Sequence, residues 1–488
     1  MRILVAIASY GRANDRYLAR VIDEYKSMLF DVDMVVLSNA AKPVPPGVEL
    51  IVGLPNCNPW SLPFAHKKVL ASRISGYDLF VYSEDDILIT ESNLHAFLRL
   101  AAVLPPNELP GFLRFESGPD GKISYPDFHV NFRWDPSSAR DRGPYRVAFF
   151  TNEHAGCYVL TQRQLRKAIE SGGFVVEPHE GRLDLPVTAA TDPYTQCGFE
   201  KVICLSELQD FLVHHLSNKY AGKYGLSENE FRDYTDALSR TKAECDPRPF
   251  KTDSVSIGRL FSKDYYEPVR HDLISLIPND ARNVLSIGCG WGATEAHVAQ
   301  TGRRVVVVAL DSVMALWAER RGLEVISGDL ATTRGKLNGE SFDCLLISNI
   351  LHLADDPAHL LSLFAEVLSN DSVVIAAVPN LPLTKIAWKR LHGGKRLRAL
   401  GSFRKSGVHV TSDRVVRRWF SEAGLKVERL FYHVPGRLEV VVRRTLGLLR
   451  PIVAWEIAVI GIPDAKKRRN VDVSSRESVI FSSSQVHR

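Results

Sequence analysis

Val284-Leu285-Ser286-Ile287-Gly288-Cys289-Gly290-Trp291-Gly292 opens a nucleotide-type site in the second half of a 488-residue chain. Residues 284–287 are a short apolar run of the kind that forms a buried strand, and the run stops at a loop with glycine at every second position. Glycine permits a sharp turn and lets a ligand approach bare backbone. A helix-type run over 293–301 follows. Strand, glycine loop and helix N-terminus in that order make a nucleotide or nucleoside site at the head of an α/β sheet.

What lies downstream narrows the ligand. The apolar run 304–310 ends at Asp311, and this glycine-to-acid gap suits a carboxylate that accepts hydrogen bonds from ribose hydroxyls. Glu324-Val-Ile-Ser-Gly-Asp329-Leu330 places a second acid just after a short strand, in reach of an adenine amino group. A fourth strand after Ser341 leaves through Asn349 and His352, a fifth covers 372–378, and a helix over 412–423 leads to a last strand over 424–430.

Over about residues 265–435 this order resembles a class I S-adenosylmethionine-dependent methyltransferase. The resemblance is carried by Gly288, Gly290 and Gly292, by Asp311, Gly328-Asp329 and Phe342-Asp343, by His352 with Asp356-Pro357, and by Ala423-Gly424-Leu425. It implies S-adenosyl-L-methionine as cofactor. The three glycines would line its methionine and ribose portion, Asp311 would bind the ribose, Asp329 with Leu330 the adenine, and Asn349 would flank the sulfonium. Ser286 departs from the pattern, because the family usually carries an acid there; weaker cofactor binding or an idle domain would follow. Methyl transfer to an oxygen benefits from a general base, for which His352 and His409 are the candidates.

The N-terminal half alternates strands (3–8, 34–37, 48–52, 78–82) with helices (15–28, 64–74), which predicts an α/β layer with a mainly parallel sheet. The strand at 78–82 runs into Ser83-Glu84-Asp85-Asp86. Carboxylates at a strand end repel one another unless a cation joins them, and a pair can hold Mg²⁺ or Mn²⁺ against diphosphate oxygens. Ile7-Ala-Ser-Tyr-Gly-Arg12 and Tyr82-Ser-Glu-Asp-Asp-Ile87 resemble the nucleotide-binding loop and the metal motif of a GT-A-type glycosyltransferase. That resemblance implies a nucleotide-diphosphate sugar near Ser9, Tyr10, Arg12, Asn39 and Asp85. It also implies a metal on Asp86 with Glu84 or Asp85, with a late histidine as a further ligand: His214 or His215, ahead of His179. Glu153 and Asp192 are the candidate carboxylate bases, with inverting and retaining chemistry both open.

Composition bounds the rest. Length predicts two or three domains, and a net charge of +5 does not by itself suggest nucleic acid. The seven scattered cysteines form no CxxC pair and predict a reducing compartment. No apolar run reaches 18 residues and the N-terminus reads as a strand, so a cytoplasmic protein is expected. Lys385 to Arg418 is strongly basic, and an apolar stretch over 446–462 precedes Lys466-Lys-Arg-Arg469; both are compatible with contact at the inner face of a membrane.

The expected architecture is therefore two α/β domains: a GT-A-like domain over 1–217 and a Rossmann-like methyltransferase over 265–465. A connecting segment over 218–264 breaks at Cys245-Asp-Pro-Arg-Pro249, and a disordered tail covers 466–488. The expected function is glycosyl transfer combined with O-methylation of a glycan or lipid-linked acceptor in surface polysaccharide synthesis. The alternatives are a methyltransferase with a non-catalytic glycan-binding module and a small-lipid methyltransferase.

Overall fold

The computed structural model describes residues 1–240, 248–255, 259–382, 386, 400–445 and 448–464. The chain divides into two compact units, Met1–Cys245 and Asp246–Arg488.

The first unit is built on a five-stranded sheet. From one edge its strands are Cys157–Thr161, Leu79–Glu84, Arg2–Ala8, Asp31–Ser38 and Val48–Val52. The last four run parallel, and Cys157–Thr161 pairs antiparallel with Leu79–Glu84. Residues 3–7 and 79–82 are completely buried, as strands covered on both faces must be, which is why they read as unbroken apolar runs. The chain moves outward from Arg2–Ala8 to Val48–Val52 and then returns to the other side with Leu79–Glu84. The order therefore reverses between Arg2–Ala8 and Leu79–Glu84, the position at whose carboxyl ends open α/β sheets bind ligands. Ser9 and Glu84 to Asp86 lie at this point. The strand Leu212–His215 pairs parallel with Leu113–Ser117 and antiparallel with Ile87–Leu88, which carries a distant histidine back to the acidic loop. Residues 226–240, expected between domains, build this unit instead. Leu226–Ser227 pairs with Ile123–Tyr125, and the helix Glu228–Arg240 stacks Phe231 on Tyr125 with ring centroids 3.7 Å apart.

The second unit holds a seven-stranded sheet in the order Glu324–Ile326, Arg304–Ala309, Asn283–Cys289, Phe342–Ser348, Leu368–Pro379, Glu456–Pro463, Leu425–His433. The first five are parallel. Glu456–Pro463 is antiparallel to both of its neighbours. The order reverses between Asn283–Cys289 and Phe342–Ser348, which sets the glycine loop at the switch point.

The antiparallel strand gives the C-terminal part of the apolar stretch 446–462 a place in the sheet, while Leu448, Ile452 and Trp455 ahead of it are exposed. Residues 457–460 are apolar because the strand runs inside the sheet, and they are buried. Ahead of the first strand of this sheet in the chain, His271–Ile274 forms a short helix. Residues 387–399 of the basic stretch and the tail expected to be disordered (466–488) lie outside the described residues. Among the described residues no helix is long and apolar enough to cross a membrane.

Candidate active sites

In the C-terminal unit the glycine loop is held by close backbone contact. A Cβ on Gly290 would stand 2.4 Å from the carbonyl oxygen of Tyr265, and that same carbonyl accepts the Trp291 N–H at 3.0 Å. Gly292 has φ +78° and opens the helix Ala293–Ala299, a conformation that side chains resist. A Cβ on Gly288 would stand 2.6 Å from Ile350 Cδ1.

The two expected nucleoside acids both cap helices. Asp311 is buried, and its Oδ1 accepts from the backbone N–H groups of Val313 (3.1 Å) and Met314 (2.9 Å) at the start of Ser312–Arg320. Asp329 is exposed and accepts from Thr332 N–H at 2.7 Å. Half-buried Leu330 begins the helix that Asp329 caps. Asn349 adopts φ +49° at the exit of Phe342–Ser348 and donates from Nδ2 to Glu456 at 2.8 Å.

Sequence reasoning missed the charged groups around this loop. Lys263 Nζ donates to Glu267 Oε2 (2.9 Å) and to the Ser348 carbonyl (2.8 Å). Arg270 bridges Glu267 (2.9 Å), Asp272 (2.7 Å) and fully buried Glu456 (2.5 Å). Burial alone would raise the Glu267 carboxyl, but Lys263 and Arg270 bring it down to about 2. These groups stand 193 or fewer positions apart and follow no local motif, so only the fold assembles them.

Glu267 implies a pH dependence. A carboxyl whose folded pKa is depressed contributes stability above its unfolded value, near 4.5, and that contribution is lost as pH falls toward 2. The shift corresponds to a contribution on the order of 3 kcal/mol. Thermal scans of the full chain between pH 6 and 3 should show the cofactor-sensitive transition falling on acidification. Glu267→Gln should flatten that dependence, and an unchanged slope would contradict it.

The two histidines expected as bases do not line the cavity under the glycine loop. His352 is buried and its Nε2 bonds the Phe261 carbonyl at 2.7 Å, so Nε2 carries the proton and the Nδ1 lone pair faces the interior. Burial pushes its pKa down to about 4. His409 bonds the Ala354 carbonyl through Nε2 at 2.9 Å and stacks on Phe403.

In the N-terminal unit the switch point gathers most of the expected nucleotide-side residues. Ser9 Oγ donates to Asp85 Oδ2 at 2.6 Å, and Asn14 Nδ2 donates to Asp85 Oδ1 at 2.8 Å. Lys42, which sequence reasoning missed, donates to Ser9 Oγ at 2.7 Å. Asn39 Oδ1 accepts the Gly11 N–H at 2.7 Å. Tyr10 and Arg12 are exposed, and Arg12 pairs with Asp15 at 2.9 Å. Asp85 is thus turned toward the first loop.

Asp86 turns the other way. Its Oδ2 lies 3.1 Å from His215 Nε2, and His215 Nδ1 lies 2.6 Å from Glu116 Oε1. Burial would raise Asp86, but the His215 contact holds it below the usual carboxylate range. Burial and the Asp86 charge push half-buried Glu84 up to about 7.

The structure separates the histidine pair. Neighbouring residues on a strand point to opposite faces, so His214 stacks on Phe115 at 4.7 Å and bonds Asn218 instead. His179 is not at the acidic loop either; it lies 3.5 Å from Asp192. Asp192 sits fully buried in the helix Leu185–Thr195 and forms an ion pair with buried Lys67. Glu153 is buried near the acidic loop. Its chain continues to Gly156, whose carbonyl accepts the Glu84 N–H at 2.8 Å, and its Oε1 accepts from Arg182 at 2.9 Å. Burial raises the Glu153 carboxyl, the direction a proton-accepting group needs.

Residues 285–376 match a family model described as a methyltransferase domain. Together with the sheet order, this makes the C-terminal unit a Rossmann-like α/β fold carrying a class I methyltransferase domain. Among characterised proteins, the trans-aconitate 2-methyltransferase of Mycobacterium ulcerans (strain Agy99) is 32% identical over 112 residues. The matched part is 22% of this chain and 41% of that protein, so the chain spans less than half the length of this relative. The Mycobacterium marinum enzyme of the same name is 31% identical over 112 residues, again 22% of this chain and 41% of the relative.

Among solved structures, the mitomycin 7-O-methyltransferase MmcR is similar with a TM-score of 0.28 and 20% identity, over 39% of this chain and 52% of that one. An S-adenosylmethionine-dependent methyltransferase from Archaeoglobus fulgidus is similar with a TM-score of 0.30 and 17% identity, over 40% of this chain and 91% of that one.

Proposed function

We propose that the chain is a bifunctional enzyme. Its C-terminal unit takes a methyl group from S-adenosyl-L-methionine to a hydroxyl, and its N-terminal unit transfers a sugar from a nucleotide-diphosphate donor. The observation that carries the first half is the glycine loop at the switch point of a sheet within a matched methyltransferase domain. For the second half it is the Asp86–His215–Glu116 chain at the switch point of the other sheet.

The donor set at Asp86 fits a divalent cation. Carboxylate oxygen suits Mg²⁺ and Mn²⁺, and the imidazole tilts the choice toward Mn²⁺. Glu116 on Nδ1 orients the ring so that Nε2, which here bonds Asp86 and Ser217 Oγ, is the nitrogen that would turn to a metal. When bound, such an ion neutralises diphosphate charge. Asp86 and His215 would hold it, and Ser9, Asn39 and Asp85 would shape the nucleotide side. Glu153 is the better placed of the two expected bases, because Asp192 is committed to Lys67 in the interior.

In the C-terminal unit, Asp311 and Asp329 would read the nucleoside and Asn349 would flank the sulfonium. The shared acceptor would be a glycan or lipid-linked glycan. A second reading, methylation of a small carboxylic acid, draws on the name of the mycobacterial relatives.

The test is one preparation assayed twice. Titration calorimetry with S-adenosylmethionine should show binding, and UDP- or GDP-sugar turnover should require Mn²⁺. No cofactor binding sinks the first half. Donor turnover that is absent, or indifferent to chelation, sinks the second.

A further inference from the structure

The cavity under the glycine loop is lined by two carboxylates, Glu267 and Glu295, that stand in opposite electrostatic conditions. Glu267 is already neutralised by Lys263 and Arg270, and it accepts a further bond from Ser348 Oγ. Glu295 is 8% exposed, and among the described residues no lysine, arginine or histidine pairs with it. Its carboxylate instead accepts the hydroxyl of Ser286 at 2.7 Å, nine positions earlier in the chain. Ser286 is 2% exposed and lines the same cavity.

Leaving a carboxylate buried without a cation is costly, and the cost is recovered when a ligand brings the cation. The methionine end of S-adenosylmethionine carries an ammonium. We propose that Glu295 is the ammonium-binding residue of this site and that Ser286 is a positioning residue, holding the Glu295 carboxylate by one hydrogen bond. The inference rests on the reading of this unit as an S-adenosylmethionine site. It gives the serine at position 286 a function: the acid stands on the helix that follows the loop, and the strand supplies its holder.

The experiment is titration calorimetry of the full chain with three ligands. S-adenosylmethionine and S-adenosylhomocysteine carry the amino acid, and 5′-methylthioadenosine lacks it. Glu295→Gln keeps the side chain's shape and removes its charge. It should weaken the first two ligands about tenfold or more, the scale of a lost hydrogen bond to a charged group, and leave methylthioadenosine within about twofold. Ser286→Ala should produce a smaller loss with the same ligand pattern. The double change Ser286→Asp with Glu295→Ala, which moves the acid back to the strand, should restore part of the affinity.

Equal weakening of all three ligands by Glu295→Gln, or no weakening of any, overturns the proposal. If the unaltered chain binds none of the three, the methyltransferase reading itself has failed, and that result is distinct from either outcome with the variant. Thermal unfolding of Glu295→Gln without ligand, compared with the unaltered chain, identifies a folding defect. If Glu295→Gln unfolds early, the Ser286→Ala ligand pattern decides.

Discussion

Gly290→Ala is expected to abolish measurable S-adenosylmethionine binding, a loss of about 100-fold or more, while the chain still folds at reduced stability. The added methyl carbon would stand 2.4 Å from the Tyr265 carbonyl oxygen, closer than any carbon and oxygen pack. Neither atom can move aside as a side-chain tip can, because the carbonyl oxygen belongs to backbone and the added carbon is bonded directly to it. Tyr265 is fully buried, and its carbonyl also holds the Trp291 N–H. Relief must therefore come from displacing the loop or the segment around Tyr265. Overpacking of this kind costs roughly 1–3 kcal/mol in stability. The displaced loop is also the surface that the cofactor would approach, so binding suffers more than folding. Gly302→Ala is the control. Gly302 has φ +83° but nothing stands within 4 Å of its added carbon, so that variant should carry a modest backbone strain and leave binding unchanged. Calorimetry and thermal unfolding of both variants decide the matter. Normal cofactor affinity in Gly290→Ala would refute the packing account.

Asp86→Ala should eliminate Mn²⁺-dependent turnover of the sugar donor, with a loss beyond about 100-fold. The loss should not be recovered by raising Mn²⁺ tenfold. His215→Ala should behave similarly. Glu116→Gln is the more discriminating change. Glu116 touches neither donor nor metal in the proposed site but accepts from His215 Nδ1, so its loss should weaken Mn²⁺ affinity about 10- to 100-fold and be recovered at high Mn²⁺. His214→Ala is the internal comparison. Its ring packs on Phe115 at the opposite face of the strand, and turnover at saturating Mn²⁺ should be retained. If His214→Ala and His215→Ala proved equally damaging, the assignment of the metal ligand to His215 would be lost.

Much of this arrangement is readable from the chain alone. The strands of both units announce themselves because parallel strands buried on two faces must be apolar throughout. The loops after them announce themselves because a switch point collects glycine, serine and acids. Asp311 and Asp329 were legible at the strand ends where the structure has them capping helices. Other features were not. An apolar stretch near the end of a chain reads equally well as a membrane contact or as a buried strand. Residues 457–460 turned out to be strand, inserted between Leu368–Pro379 and Leu425–His433. Local pattern could not distinguish these, since burial depends on which neighbours the segment finds.

The sequence by itself determined where the strand-end loops lie and which chemistry-bearing residues stand on them, because strand period, glycine spacing and strand-end acids are local properties. Only the tertiary structure decided which of those residues meet. His215 reaches Asp86 across 129 positions because Leu212–His215 pairs beside the acidic loop, and the two-residue period of that strand turns His214 away. Ser286 meets Glu295 because the glycine loop reverses the chain and folds the helix start back over the strand end. In both sites the residue types were visible in the chain, but the partner of each was set by how the chain folds, across 129 positions in the first and around a nine-residue turn in the second.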